Sequence, residues 1–320
     1  MSLLYHRNSA PPGIVRPDVT IALPFGLQGL LDRGFEAYLR PPGLPAIDFA
    51  RPAGEAGLAG PDSVSWQVFR NPLSLYIGGI AAVILELAEP RVRAGVWLHT
   101  SFRTDPLSRL QRTGLAAMVT VYGARSVAEP MIAGVVRAHA SVSGTTDEGL
   151  RYHANDPELL TWVQATATYG FVTAYAKLVA PLSPADRDRY YAEGVAAGRL
   201  YGVPAPPASE SDVKACFAAM RPRLAPSPIM SEFLRIMSRA AILPPGARLL
   251  QPLLVRAAVS LLPGWARTQL ELGADWQLGP GELKALRAAA RLAHRLRIGT
   301  SPAAQACVRL GLPPDYLHGR

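Results

Sequence analysis

Punctuation constrains this chain more than anything else in it. Apolar segments with helical spacing follow one another from Asn71 almost to the C-terminus. The pairs Asn71–Pro72, Asp105–Pro106 and Asp156–Pro157 stand where three of them begin. Proline is well placed at the first helical position, because the N–H it lacks would have had no partner there. The Asn or Asp before it supplies a capping acceptor. No period-two series of strand-forming residues competes with this pattern, and no repeat of fixed length appears. The expected fold is all-α, a multi-helix globular bundle.

The first of these helices, "NPLSLYIGGIAAVILELAEP", is ended by Pro90, and "TDPLSRLQRTGLAAMVTVYG" runs from its Asp105–Pro106 cap to Gly123. In "SVAEPMIAGVVRAHASVSG", Ser126 and Glu129 have capping-box spacing, which predicts a helix from there to Gly144. "NDPELLTWVQATATYGFVTAYAKLV" keeps a helical period to Val179, and "SPADRDRYYAEGVAAGRLYG" precedes the linker "VPAPPASES". Further helical segments follow, the last being the basic "GELKALRAAARLAHRLR". This organisation predicts an irregular Pro/Gly-rich arm over residues 1–64 with one short helix, a helical core over 65–204, and C-terminal helices over 205–320 that pack on it.

At 320 residues and 49% hydrophobic content the chain can bury a large core. Its net charge of +9 comes almost wholly from arginine, since Lys177, Lys214 and Lys284 are its lysines. Such a balance suits an anionic ligand or surface. The chain has no zinc-finger spacing, aromatic RNA-binding box or long basic block, which argues against nucleic acid. Cys216 and Cys307 lie far apart and no CxxC occurs, so redox-motif and zinc readings fail. The longest apolar run, Pro72 to Leu85, is shorter than the roughly 20 residues of a spanning helix and meets Glu86 at once, which predicts a buried core helix. The start "MSLLYHRNSAPPG" lacks the pattern of a signal peptide. The expectation is a soluble, cytoplasmic protein with no transmembrane segment.

Few residues are placed to carry chemistry. His139 shares a helical face with Ile132, Val135, Val136 and Val142, which turns it inward. It is either a core histidine satisfied by a hydrogen bond or a metal ligand, such as the axial donor of a haem. Arg109 and Thr113, spaced i, i+4, stand at the border of the preceding helix's apolar face. They could hold an anionic group, or Arg109 could pair with a surface Asp. His99 falls on the face of Val92, Gly95 and Val96 and leans inward. Glu89 would be expensive to bury unpaired, and Arg91, Arg93 or Arg103 could neutralise it. Gln164, on the face of Leu160, Val163, Ala167 and Phe171, is expected to be buried with a partner. No role is assigned to His153, His294 or His318. No Gly-rich phosphate loop, GxSxG or HExxH occurs.

From Asn71 to Val203, the order of "IGGIAAVILELAEPRVRAGVWLHTSFRTDPLSRLQRT", "VYG", "VRAHASVSG" and "YHANDPELLTWVQAT" resembles the DUF2236 family. That family includes the MpaB-type oxygenases and is related to the rubber-cleaving latex clearing proteins. The resemblance implies a helical fold enclosing a pocket for haem b, and oxidative chemistry by dioxygen on a small apolar substrate, C=C cleavage included. It implies His139 as proximal iron ligand, Arg109 and Thr113 as the R-x-x-x-T pair beside the cofactor, and His99 as the histidine of the "GV–HS-F" stretch. Where family members read "AHP" and "WVHAT", this chain has Glu89 and Gln164. Glu89, His99 and Gln164 are therefore its candidates for the substrate side. Two other readings stay open. One is a haem-free relative using Glu89 and His99 as acid and base. The other is a binding protein whose basic helix, Glu282 to Arg297, docks on an acidic partner or membrane surface.

Overall fold

The polar–proline pairs are where helices begin. The computed structural model describes residue 21 and residues 25–240 and 245–319, so residues 1–20 and 22–24 of the arm expected over 1–64 lie outside the described residues. Helices α1 (Phe25–Tyr38) and α2 (Val64–Phe69) lead into α3 (Pro72–Ala88), α4 (Pro90–His99), α5 (Pro106–Tyr122) and α6 (Arg125–His139). A hairpin of β1 (Ser143–Thr145) and β2 (Arg151–His153) precedes α7 (Pro157–Leu178). Then come α8 (Pro184–Glu193), α9 (Val195–Leu200), α10 (Glu210–Met220), α11 (Pro228–Arg239), α12 (Gln251–Leu261), α13 (Gly264–Gln269), α14 (Pro280–Arg295) and α15 (Pro302–Arg309). The fold is all-α apart from that small hairpin. Asn71, Asp105 and Asp156 each cap the helix that follows, their side chains accepting from Ser74 N, Ser108 N and Leu159 N at 2.9, 3.1 and 3.3 Å.

The centre is the α3–α7 pair. The two backbones touch where Gly78 meets Gly170: a Cβ on Gly170 would lie 2.4 Å from the Gly78 carbonyl oxygen. Such contact needs glycine on both helices. Trp162 Nε1 then ties α7 to the Leu85 carbonyl at 3.2 Å. Ile77, Ile80, Ile84, Leu85 and Leu87 of α3 are buried, with α12 packed on α3 and α10 and α14 on α7. Among the described residues no single helix is long and apolar enough to cross a membrane.

Pro90 does end α3, and it also opens α4. Glu89 between them is extended (φ −84°, ψ 120°), as a residue before proline prefers, and the two axes bend by 112°.

Two local expectations are corrected. The Ser126–Glu129 capping box does not form: Ser126 N and Oγ are held at 2.6 and 2.8 Å by the Glu55 carboxylate, while Glu129 pairs with Arg125 at 3.4 Å. The helix also stops at His139 rather than Gly144, because residues 143–145 turn out to pair antiparallel with 151–153. Gly144 permits this pairing, since a Cβ there would lie 2.6 Å from the Tyr152 hydroxyl.

The C-terminal helices clamp the core through arginine. Arg287 and Arg291 of α14 donate to the Lys177 and Val179 carbonyls at 3.0 and 3.3 Å, satisfying acceptors that the end of α7 leaves open. Two of the arginines on the basic helix are thus turned to its own protein rather than to a partner surface. Arg309 of α15 is 1% exposed and donates to the carbonyls of Phe49, Tyr122 and Glu55 at 2.8, 2.7 and 2.9 Å. It staples the segment before α2 to the end of α5.

Candidate functional site

Three helices bring a carboxyl and an imidazole within electrostatic reach of one guanidinium. Glu86 sits in the last turn of α3, Arg109 in the first half of α5, and His139 is the last residue of α6. Each is half-buried.

Arg109 bonds the Thr113 hydroxyl, which in turn donates to the Arg109 carbonyl at 2.9 Å. No carboxylate among the described residues closes to ion-pair distance of it. Desolvation lowers the guanidinium's pKa, Glu86 opposes that shift, and Arg112 adds to it. Glu86 makes no hydrogen bond or ion pair to a described residue. Burial pushes its carboxyl up to about 7, with Arg109 pulling the other way.

His139 is held neutral. Burial lowers its pKa first, and the charges of Arg109 and His153 lower it further. Its Nδ1 is buried without a hydrogen-bond partner among the described residues. His153, given no role by the sequence, is within electrostatic reach of this imidazole. Its own Nδ1 accepts from Asn155 N at 3.1 Å, and its Nε2 meets the Ala140 carbonyl at 3.3 Å.

His139, Arg109 and Thr113 are therefore brought together, and the other sequence candidates are not. Glu89 is buried at 1% exposure, but both of its oxygens are committed: one accepts from Val92 N at 2.8 Å and the other from Arg91 Nε at 2.7 Å. Of the three arginines that could have neutralised it, Arg91 does so. Arg93 turns to the Leu87 and Ala225 carbonyls, and Arg103 pairs with Glu232 at 3.6 Å. His99 is exposed rather than inward, with its Nε2 3.0 Å from the Tyr152 hydroxyl. Glu89 and His99 bracket α4, a span of roughly 15 Å at the helical rise, too long for one acid–base pair. Gln164 is half-buried rather than buried. Its amide makes no hydrogen bond to a described residue and points at the α8–α9 junction, 3.5 Å from where Cβ atoms on Gly194 and Gly198 would stand.

Glu86 is the residue the sequence reading passed over. The available signal was its place on one helical face with Gly79 and Val83, with no basic residue within four positions on its own helix. A cavity of about 440 Å³ beside α15, lined by Arg70, Arg297, Leu317 and His318 among others, contains none of these residues.

Chemically the arrangement offers one neutral nitrogen donor, one desolvated cation with a hydroxyl beside it, and one carboxyl able to hold a proton near neutrality. No group of three His, Cys, Asp or Glu among the described residues could hold a bare metal ion. A metal bound by the single imidazole would need its remaining donors from elsewhere, as a porphyrin provides.

A family model described as the catalytic domain of the ER-bound oxygenase mpaB/B′ and rubber oxygenase matches residues 66–297, well over half of the chain. It covers every residue of the cluster. No individual curated protein and no solved structure matches the chain.

Proposed function

The chain belongs to the catalytic-domain family of the ER-bound mpaB/B′ oxygenases and rubber oxygenases, and from that premise we propose that it is a haem-b-dependent oxygenase acting on a small, mainly apolar organic substrate. The observation that carries the haem is His139: a desolvated imidazole at the end of a helix, its pKa lowered, with no hydrogen bond to a described residue and a buried Nδ1 that has no partner among them. Such a group is spent on a ligand more readily than on packing, because a buried polar atom without a partner costs stability.

The donor set fits one axial bond to a haem iron and does not fit a protein-only metal site. Bound haem would supply dioxygen activation. The chain's own residues do the rest. His139 offers its lone pair because burial first, and then the charges of Arg109 and His153, lower its pKa. Arg109, which has no carboxylate partner among the described residues, binds an anionic group such as a propionate, and Thr113 orients the guanidinium through its hydroxyl. Glu86 holds or releases a proton near neutral pH, the range in which an acid–base group works best. Half-buried Leu110, Ala117 and Met118 of α5 and Val135 and Val136 of α6 supply apolar surface that favours an apolar substrate over water.

The test is an absorption spectrum with a haemochromogen assay on the purified full chain and on His139→Ala. The expected result is about one haem per chain in the wild type and none in the variant. Full loading of the variant, or a folded wild type that stays haem-free when haem is supplied during expression, would overturn the proposal.

A further inference from the structure

Residues 153–155 are laid along the last turn of α6 and the residues that follow it by three contacts. His153 Nε2 meets the Ala140 carbonyl at 3.3 Å, Ala154 N donates to the Val142 carbonyl at 2.9 Å, and Asn155 Nδ2 donates to the Val136 carbonyl at 3.1 Å. Two buried polar atoms in this strip have no partner among the described residues, and they are complementary. One is Nδ1 of His139, which can carry a proton, and the other is Oδ1 of Asn155, which can only accept one. In an α-helix the carbonyl of residue i points along the axis toward residues i+3 and i+4. An amide bound to the Val136 carbonyl therefore stands at the foot of the His139 side chain.

We propose that Asn155 is the positioning residue of His139, its Oδ1 accepting the Nδ1–H of the imidazole and so fixing the ring's tautomer and orientation. A side-chain rotation closes the pair while Asn155 Nδ2 keeps the Val136 carbonyl. The pairing leaves the lone pair on Nε2, directed away from Asn155. Its use there as a metal ligand rests on the haem reading above, whereas the pairing itself does not. An outer partner of this kind holds the ring in place and raises its basicity as a ligand.

The experiment reads the tautomer directly. In the haem-free full chain with ¹⁵N-labelled histidine, long-range proton–nitrogen correlations report which ring nitrogen of His139 is protonated; its signal is assigned by loss in His139→Gln. The wild type is expected to show the Nδ1–H form. Asn155→Asp keeps an acceptor and should retain that form. Asn155→Leu, and Asn155→Ala as a smaller alternative, remove the acceptor and should shift the ring to the Nε2–H form. A folded Asn155→Leu or Asn155→Ala with the wild-type tautomer would overturn the pairing. In the loaded protein, Asn155→Leu is expected to weaken haem binding about 10- to 100-fold and to lower the iron–histidine stretching frequency. An Asn155-dependent tautomer in a chain that binds no haem would sink the haem reading and leave the pairing standing. Haem binding with a tautomer indifferent to Asn155 would do the reverse.

Discussion

The Arg109 guanidinium acts on the Glu86 carboxyl across the space between α3 and α5 without closing to an ion pair. An ion pair would hold the carboxyl below its ordinary value. At this longer range burial wins, and the pKa rises from 4.5 to about 7.

The direction of the pH effect follows. A carboxyl whose pKa is raised on folding supports the fold most fully below its unfolded value of 4.5, and that support is lost as pH climbs through about 7. Glu86→Gln does not titrate. Between pH 4 and 8 it should gain on the wild type by up to about 3 kcal/mol. Denaturant midpoints across that range check this, and parallel curves for the two proteins would place the Glu86 carboxyl in water.

Glu89 caps α4 and pairs with Arg91, and its replacement should cost stability. Glu89→Gln keeps an acceptor for Val92 N but breaks the buried pair with Arg91. Breaking such a pair costs roughly 3–5 kcal/mol when nothing else relieves the stranded charge. Arg91 also pairs with Glu158 at 3.0 Å, so a loss of about 2 kcal/mol is expected. Haem content per folded molecule should not change. Full stability with lost turnover would return Glu89 to the substrate side.

What the sequence made legible was local. Asn71, Asp105 and Asp156 cap as read because an N-cap needs only its own helix. His139 stands half-buried with its Nδ1 buried, on the face that helical periodicity gave it. The Ser126–Glu129 box failed because a better acceptor arrives from Glu55, far off in the sequence, and no local pattern can weigh that. Glu89 looked like a site residue because it replaces a family histidine, yet the bend at Pro90 makes it the cap of α4. Glu86 escaped notice because a carboxylate ending an apolar run reads as the point where a helix meets water. Its desolvation is a property of the packed helices around it, as is the clustering with Arg109 and His139.

Gly170 should tolerate no side chain. An alanine Cβ would lie 2.4 Å from the Gly78 carbonyl oxygen and 3.1 Å from Ala82 Cβ, forcing α3 and α7 apart where their backbones touch. Overpacking costs about 1–3 kcal/mol and sometimes more, offset by roughly 1 kcal/mol of helix propensity. A net loss near 2 kcal/mol in Gly170→Ala is expected. Gly134 in α6 supplies the control: its nearest neighbour is the flexible end of Arg137 at 3.7 Å. Gly134→Ala should be neutral or stabilising by up to about 1 kcal/mol. Equal melting shifts for the two variants would show that the α3–α7 contact is looser than its geometry.

Arg309 offers the sharpest test of how the N-terminal segment is held. One planar guanidinium, 1% exposed, reaches three carbonyls that belong to two separate stretches, Phe49 and Glu55 on one side and Tyr122 on the other. Hydrogen bonds to a charged donor contribute about 1.5–3 kcal/mol each, and removing the donor strands buried acceptors. Arg309→Met should cost at least about 4 kcal/mol. Arg309→Lys should rescue little of it, because an ammonium cannot reproduce the fork that spans the two stretches. The effect should spread beyond α15. Glu55, whose carbonyl Arg309 holds, is the residue whose carboxylate holds Ser126 at the start of α6, the helix that ends in His139. Limited proteolysis of Arg309→Lys should therefore cut first between residues 49 and 57, with hydrogen exchange rising at the N-terminus of α6. Unchanged protection at Ser126 in a variant cleaved at the segment would separate the two anchors and confine the staple's role to the segment itself.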